Sequence, residues 1–387
     1  MAQTTPSLTA DQTSLAQGNS AFAVDLYNQL RKQDGNLFFS PASISTALAM
    51  AYAGARGTTA GEMAKTLHFT LPADKLPPAM GALIAGLNAQ HKGYQLRVAN
   101  ALWAQQNEKF LAGFLTLTKA GYGAGFRPVD FEKDPEKVRI AINQWIEQQT
   151  EDKIKDMLQP GSVTADTRLV LTNAIYFKGA WQDQFKESQT RDEDFHLSTA
   201  QSVKSPMMHQ SHGYRYFDGG TFQALEIPYQ SGDLSMVVLL PNDVGGLGAL
   251  EQKLTPGSVE GWLAKMQYQK KVNLALPRFT MTHQFVLNDP LMAMGMRSAF
   301  VLKDADFSGM TGDRSLWISA VIHKAFVDVS EEGTEAAAAT GTVMRSLAMA
   351  YEPPPIVFRA DHPFVFLIRE NRSGAILFMG RVADPTK

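Results

Sequence analysis

Eight histidines and no cysteine set the limits on the chemistry open to this 387-residue chain. Without cysteine there are no disulfides, thiol nucleophiles or thiolate metal sites, and such a chain is compatible with either redox compartment. His209 and His212 stand three residues apart. On a helix they would share a face and could hold a metal, but the adjoining "HGYRYF" reads as loop and strand, so no metal site is expected. His323 lies in "LWISAVIHKAFVDV", among apolar neighbours. A general base needs a nucleophile and an orienting acid. Neither is close in sequence, so His323 is expected to be a buried histidine with hydrogen-bonded ring nitrogens. The G-x-S-x-G elbow, the H-E-x-x-H zinc helix and the G-x-x-x-x-G-K-[ST] phosphate loop are missing. Asn371-Arg372-Ser373 matches the glycosylation sequon, a pattern short enough to recur by chance. The chain reads as a protein that is not an enzyme and needs no cofactor or metal.

The elements that would carry these residues follow from apolar spacing. Phe22, Leu26 and Leu30 recur at helical intervals, with Ser20 placed as an N-cap. Ser40-Pro41 opens a nearly all-apolar helix in "NLFFSPASISTALAMAYAGA". "YQLRVANALWAQ" alternates as a half-buried strand does. "VRIAINQWIEQQTEDKIKDML" returns to helical spacing, and strands then dominate from "TRLVLTNAIYFKGAW" to "AILFMGRV". Helices early and strands late indicate an α+β fold, and no internal repeat divides the chain. Residues 1–19 read as a polar N-terminal extension of one domain, 1–387. The formal net charge of -2 argues against a nucleic-acid partner, and no apolar run is long enough to span a membrane. The polar start lacks signal-peptide character. The expectation is a secreted or extracellular protein whose leader precedes this numbering, with a cytoplasmic one as the alternative.

One stretch packs against nothing obvious: "EEGTEAAAATGTVMRSLAMAYEPPP", residues 331–355. As a strand, it would place Thr334, Ala336, Ala338, Thr340, Thr342 and Met344 on one face. Glu335, Ala337, Ala339, Gly341, Val343 and Arg345 would take the other. Both charges fall on one side, and the opposite side carries only small or apolar groups. Bulky side chains would obstruct entry between two paired strands, and proline would remove a ladder hydrogen bond. Neither proline nor a large aromatic occurs from Glu331 to Val343. Gly333 supplies a pivot, and the triple proline stiffens the far end.

In this context four motifs resemble the serpins, the serine-protease-inhibitor superfamily, and the likeness runs from about Ser20 to Pro385. They are "NLFFSPASI", "TNAIYFKGAW", "HKAFVDVSEEGTEAAAAT" and "FRADHPFVFLIRENRSGAILFMGRV", in the family's order. The resemblance implies a single domain with three β-sheets, eight to nine helices and an exposed reactive centre loop. It also implies a suicide substrate. A target serine protease cuts the loop and is held as an acyl-enzyme while the loop inserts into the main sheet. The metastable fold supplies the free energy for this conformational change.

The resemblance assigns residues as well. Glu331, Gly333, Thr334, Glu335, Ala336, Ala337, Ala338 and Ala339 match the hinge. Leu347 and Ala348 flank the expected reactive bond, which suits proteases of the chymotrypsin or elastase type. Arg345-Ser346, Met349 and Tyr351 are the alternative cut positions, because the chain up to "HPF" is longer than in the shortest family loops. Ser40, Ser43, Asn173 and His323 match the shutter, and Trp181, Arg278 and Glu331 the breach, with an Arg278–Glu331 ion pair expected. The implied partner is the protease, held covalently by a monomer. "LPADKLPPAMGALIAGLNAQHKGY" has no basic cluster, so no heparin-type activator is expected.

Overall fold

A computed structural model describes residues 8–72, 75–88, 93–122, 125–333 and 354–387. Helix α1 (Ala10–Leu30) leads through β1 (Leu37–Phe39) into α2 (Pro41–Tyr52), α3 (Gly57–Thr66) and α4 (Leu76–Asn88). Then come β2 (Tyr94–Gln105), α5 (Ala112–Tyr122), β3 (Phe126–Val129), α6 (Pro135–Gln149) and β4 (Leu169–Gly179). The centre is β5 (Arg191–Ser198), β6 (Gln201–Asp218), β7 (Phe222–Pro228) and β8 (Leu234–Pro241), followed by α7 (Leu247–Gln252) and α8 (Pro256–Lys265). The next elements are β9 (Gln267–Pro277), β10 (Phe279–Val286), α9 (Asn288–Ala293) and α10 (Ser308–Thr311). The last are β11 (Ile318–Val329), β12 (Ile356–Arg359), β13 (Phe364–Glu370) and β14 (Ile376–Val382). Among the described residues there are thus ten α-helices, where the resemblance implied eight or nine; α10 is a single turn of four residues.

Two expected helix boundaries move. The first helix starts at Ala10, inside the segment read as an extension, because Thr9 and Gln12 form a reciprocal capping box. Ser20 is therefore interior, and its Oγ accepts from the Ile376 amide at 3.3 Å. The helix expected to run on to Leu158 stops at Gln149, since Glu151, Asp152 and Asp156 adopt φ of 51°, 61° and 49°. Those left-handed values end helical propagation.

Five strands form one sheet in the order β10-β11-β4-β2-β3. The other nine form a network in which β6 runs through two lobes. β6 pairs with β5 ahead of the register slip at His212/Tyr214 and with β7 beyond it. Counting the lobe β5-β6-β9-β12 and the lobe β6-β7-β8-β13-β14-β1 of this network separately, the described residues form three sheets with the five-stranded one.

The five-stranded sheet is covered on both faces, which is why β4 reads as an almost unbroken apolar run. Its inner face buries Leu96, Leu171, Ile175, Phe177 and Val327. Helix α2, buried from Pro41 to Ala51, packs on this side. The outer face buries Ala99, Ala101, Trp103, Val170, Ala174 and Ile322 against Ile142 and Ile146 of α6. No helix among the described residues is long and apolar enough to cross a membrane.

Candidate functional site

The seam between β4 and β11 is parallel and directly paired, from Ile318↔Leu169 to Phe326↔Tyr176. Beyond that pair, among the described residues, each strand keeps only its other neighbour. β11 runs on along β10 to Val329↔Phe279, and β4 along β2 to Gly179↔Tyr94. The sheet therefore splays at the end where the chain leaves β11 for residue 333.

Three polar side chains cross the seam at one level. Asn100 on β2, Asn173 on β4 and His323 on β11 are register partners, and all three face inward toward the N-terminus of α2. The Ser40 amide donates to His323 Nε2 at 3.1 Å. A backbone N–H can only donate, so Nε2 is unprotonated and Nδ1 carries the proton, which it donates to Asn173 Oδ1. Asn173 Nδ2 in turn donates to Ser43 Oγ and Asn100 Oδ1. Asn100 Nδ2 donates to the Ser43 carbonyl at 3.1 Å, and Ser40 Oγ to that of Leu377 at 2.7 Å. Ser40 caps α2 by accepting from the Ser43 amide at 3.2 Å. Parting the seam breaks the His323–Asn173 bond and leaves two fully buried groups to find new partners. That costs about 1–3 kcal/mol per unsatisfied group.

Burial holds the His323 imidazole down to about 3 from its ordinary 6.5, while its hydrogen bond with Asn173 acts in the opposite direction. The unfolded chain therefore binds the proton first, and acid favours unfolding. This contribution is complete above about pH 6.5 and is lost as pH falls toward 3, at about 1.4 kcal/mol per unit. Stability measured by denaturant titration from pH 7 to pH 4 should fall less steeply in His323→Gln than in the parent. Equal slopes would show that His323 is not the group taking up the proton.

At the splayed end the chain turns back on itself. The Ser330 and Gly333 backbones exchange hydrogen bonds at 2.9 and 3.1 Å, and Gly333 bridges to Ala180 with φ of +104°. A Cβ there would stand 2.2 Å from the Gly179 carbonyl oxygen and 2.5 Å from the Trp181 nitrogen. Only glycine fits. Trp181 donates its indole N–H to the Ser330 carbonyl at 2.9 Å and stacks on Tyr229 with centroids 4.7 Å apart. Glu331 is 4% exposed. Its Oε1 accepts from Thr190 Oγ1 at 2.7 Å, and its Oε2 lies 3.6 Å from Arg278 Nε.

The residues assigned from sequence thus fall into two groups, Ser40, Ser43, Asn173 and His323 in one, Trp181, Arg278, Glu331 and Gly333 in the other. Thr334, Glu335, Ala336–Ala339, Arg345, Ser346, Leu347, Ala348, Met349 and Tyr351 lie outside the described residues. Asn100 was missed, although an asparagine at an inward position of an alternating strand was a legible sign. His209 and His212 sit on β6, with His209 Nε2 3.0 Å from Glu193 Oε1 and His212 Nδ1 3.8 Å from Asp183 Oδ2.

Comparison with known proteins agrees with this architecture. The model of the family Serpin (serine protease inhibitor) matches residues 17–385. The leukocyte elastase inhibitor of Equus caballus is 43% identical over 381 residues, covering 96% of this chain and 99% of that one. An uncharacterized serpin-like protein of Thermococcus kodakarensis is 42% identical over 367 residues, covering 95% of this chain and 84% of its own. Uncleaved ovalbumin superposes with a TM-score of 0.87 at 31% identity, covering 96% of this chain and all of its own. The chain belongs to the serpin family.

Proposed function

We propose that this protein inhibits serine proteases of the elastase or chymotrypsin type by trapping them on a cleaved loop. The splayed β4–β11 seam carries the reading. It offers two parallel strand edges between which one strand, antiparallel to both, can make ladder hydrogen bonds along its whole length. The protease serine attacks the carbonyl carbon of Leu347, and the Leu347–Ala348 bond breaks. The serine's proton passes through the protease histidine to the new amino group of Ala348, leaving Leu347 as an ester on the enzyme. The freed segment from Thr334 then enters the seam and carries the acyl-enzyme along the sheet. Ser40, Ser43, Asn173 and His323, with Asn100, act as the lock across the seam. Trp181, Arg278 and Glu331 hold its entrance. The name of the equine relative, a leukocyte elastase inhibitor, supports the protease class, and Leu347 suits an apolar primary pocket.

Incubation with elastase and with chymotrypsin should each yield a complex that survives boiling in detergent, plus a released C-terminal fragment beginning at Ala348. Leu347→Arg should move the preference to trypsin by about 100-fold or more in association rate, on the scale that a mismatched primary pocket costs. A fragment beginning at Ser346 or after Met349 or Tyr351 would relocate the bond. Clean cleavage with no stable complex across these proteases would overturn the reading.

A further inference from the structure

The outer face of the five-stranded sheet holds a cation between two indoles. Arg127 Cζ on β3 lies 4.3 Å from the ring centroid of Trp145 on α6 and 5.5 Å from that of Trp103 on β2. The indoles themselves meet edge to face at 5.5 Å. Trp103 is tied on to β4 by its indole N–H, 2.8 Å from Thr172 Oγ1. Arg127 Nε is buried and has no hydrogen-bond partner among the described residues. Burial alone shifts its pKa, downward. Ring faces therefore answer this charge where a carboxylate normally would.

The position of this clamp gives it a consequence for loop insertion. Helix α6 packs over β2. Its Ile142 and Ile146 share one buried cluster with Val170 and Ala174 of β4 and Ile322 of β11, and the segment after it reaches across the seam to β11 and β10. A strand sliding into the seam points every second side chain at α6. With the helix seated, the apolar packing leaves no passage for those side chains, so α6 must lift while the strand enters. On the β11 side the tethers are single bonds to the segment after α6. Lys324 Nζ donates to the Lys155 carbonyl at 2.6 Å, and Gln284 Nε2 of β10 to that of Met157 at 2.9 Å. On the β2–β3 side Gln95 Nε2 and Arg97 Nε of β2 donate to Glu151 Oε1 just past α6, at 3.2 and 3.0 Å, and α6 itself is held by the clamp.

We propose that Arg127, through Trp103 and Trp145, is a positioning residue that latches α6 to the sheet and sets the rate at which the seam admits a strand. The proposal rests on the insertion reading above. The test uses uptake of a synthetic peptide of residues 334–346 by the uncut full chain, followed on native gels. Arg127→Met should take up the peptide about tenfold faster, the factor that about 1.4 kcal/mol corresponds to. Arg127→Lys, which keeps the charge but not the planar stack, should fall between. Trp145→Leu should accelerate uptake as well, and the double variant should be no faster than either single one, because both release one latch. Hydrogen exchange should speed up in Pro135–Gln149 and stay unchanged in β13 and β14, which separates release of a latch from general loosening. Uptake within twofold of the parent in both single variants, or fully additive effects, overturns the latch alone. A parent that takes up no peptide and gains no thermal stability when its loop is cut overturns the insertion reading and the latch with it.

Discussion

Thr334→Arg is expected to convert the inhibitor into a substrate. Thr334 is the first residue after Gly333, and in the strand reading it shares a face with Ala336, Ala338, Thr340 and Thr342. If that face turns inward on insertion, it meets the surface lined by Ile175, Phe177 and Val327, all at most 2% exposed. A guanidinium placed there sits against an apolar surface, and an unpaired buried charge costs several kcal/mol. Entry would stall at its first step. Deacylation would then outrun insertion, so the moles of inhibitor consumed per mole of protease trapped should rise about tenfold or more. The association rate for cleavage itself should change little, because the bond at Leu347 lies thirteen residues away. Titration of residual elastase activity, with gel quantification of complex against cleaved product, measures both. An unchanged trapping ratio would mean that Thr334 faces outward, and Glu335→Arg would then serve as the partner experiment.

Gly333→Val should cost the uncut protein about 3 kcal/mol or more. Two effects add. A β-branched residue at φ +104° pays roughly 1–2 kcal/mol of backbone strain. Its Cβ also meets backbone on three sides, the Gly179 oxygen at 2.2 Å, the Trp181 nitrogen at 2.5 Å and the Ala180 Cα at 2.6 Å. Backbone cannot rotate aside as a flexible side chain does, so the turn from Ser330 to Gly333 must leave β4. The bond from the Trp181 amide to the Glu332 carbonyl, 3.1 Å, and that from the Trp181 indole to Ser330 go with it. The loop is thereby freed at its base. Thermal unfolding should show a lower midpoint for the uncut form, and the conversion to a loop-inserted form on standing should quicken. A midpoint within a degree of the parent would show that Gly333 does not seat against Gly179–Trp181.

How legible these features were depends on how local they are. The nearly all-apolar α2, the alternation of β2 and the doubly buried β4 each follow from a repeat contained within a dozen residues. The family motifs around Ser40, Asn173, Trp181, His323 and Glu331 are contiguous strings and could be matched as such. Helix ends were less legible. The capping box at Thr9 lies ahead of a weakly apolar turn, and the end of α6 at Gln149 depends on left-handed residues that carry no composition signal, since Glu151, Asp152 and Asp156 are ordinary surface types.

The sequence by itself determined which residues are small enough to slide into a sheet and which family they belong to. Both are properties of neighbours along the chain. The tertiary structure alone decided that Asn100 completes the row with Asn173 and His323, and that the seam splays beyond Tyr176. It alone placed Arg127 between Trp103 and Trp145. Each of those depends on the register of strands brought together from distant parts of the chain. A one-residue slip in any of them would turn its side chains to the opposite face.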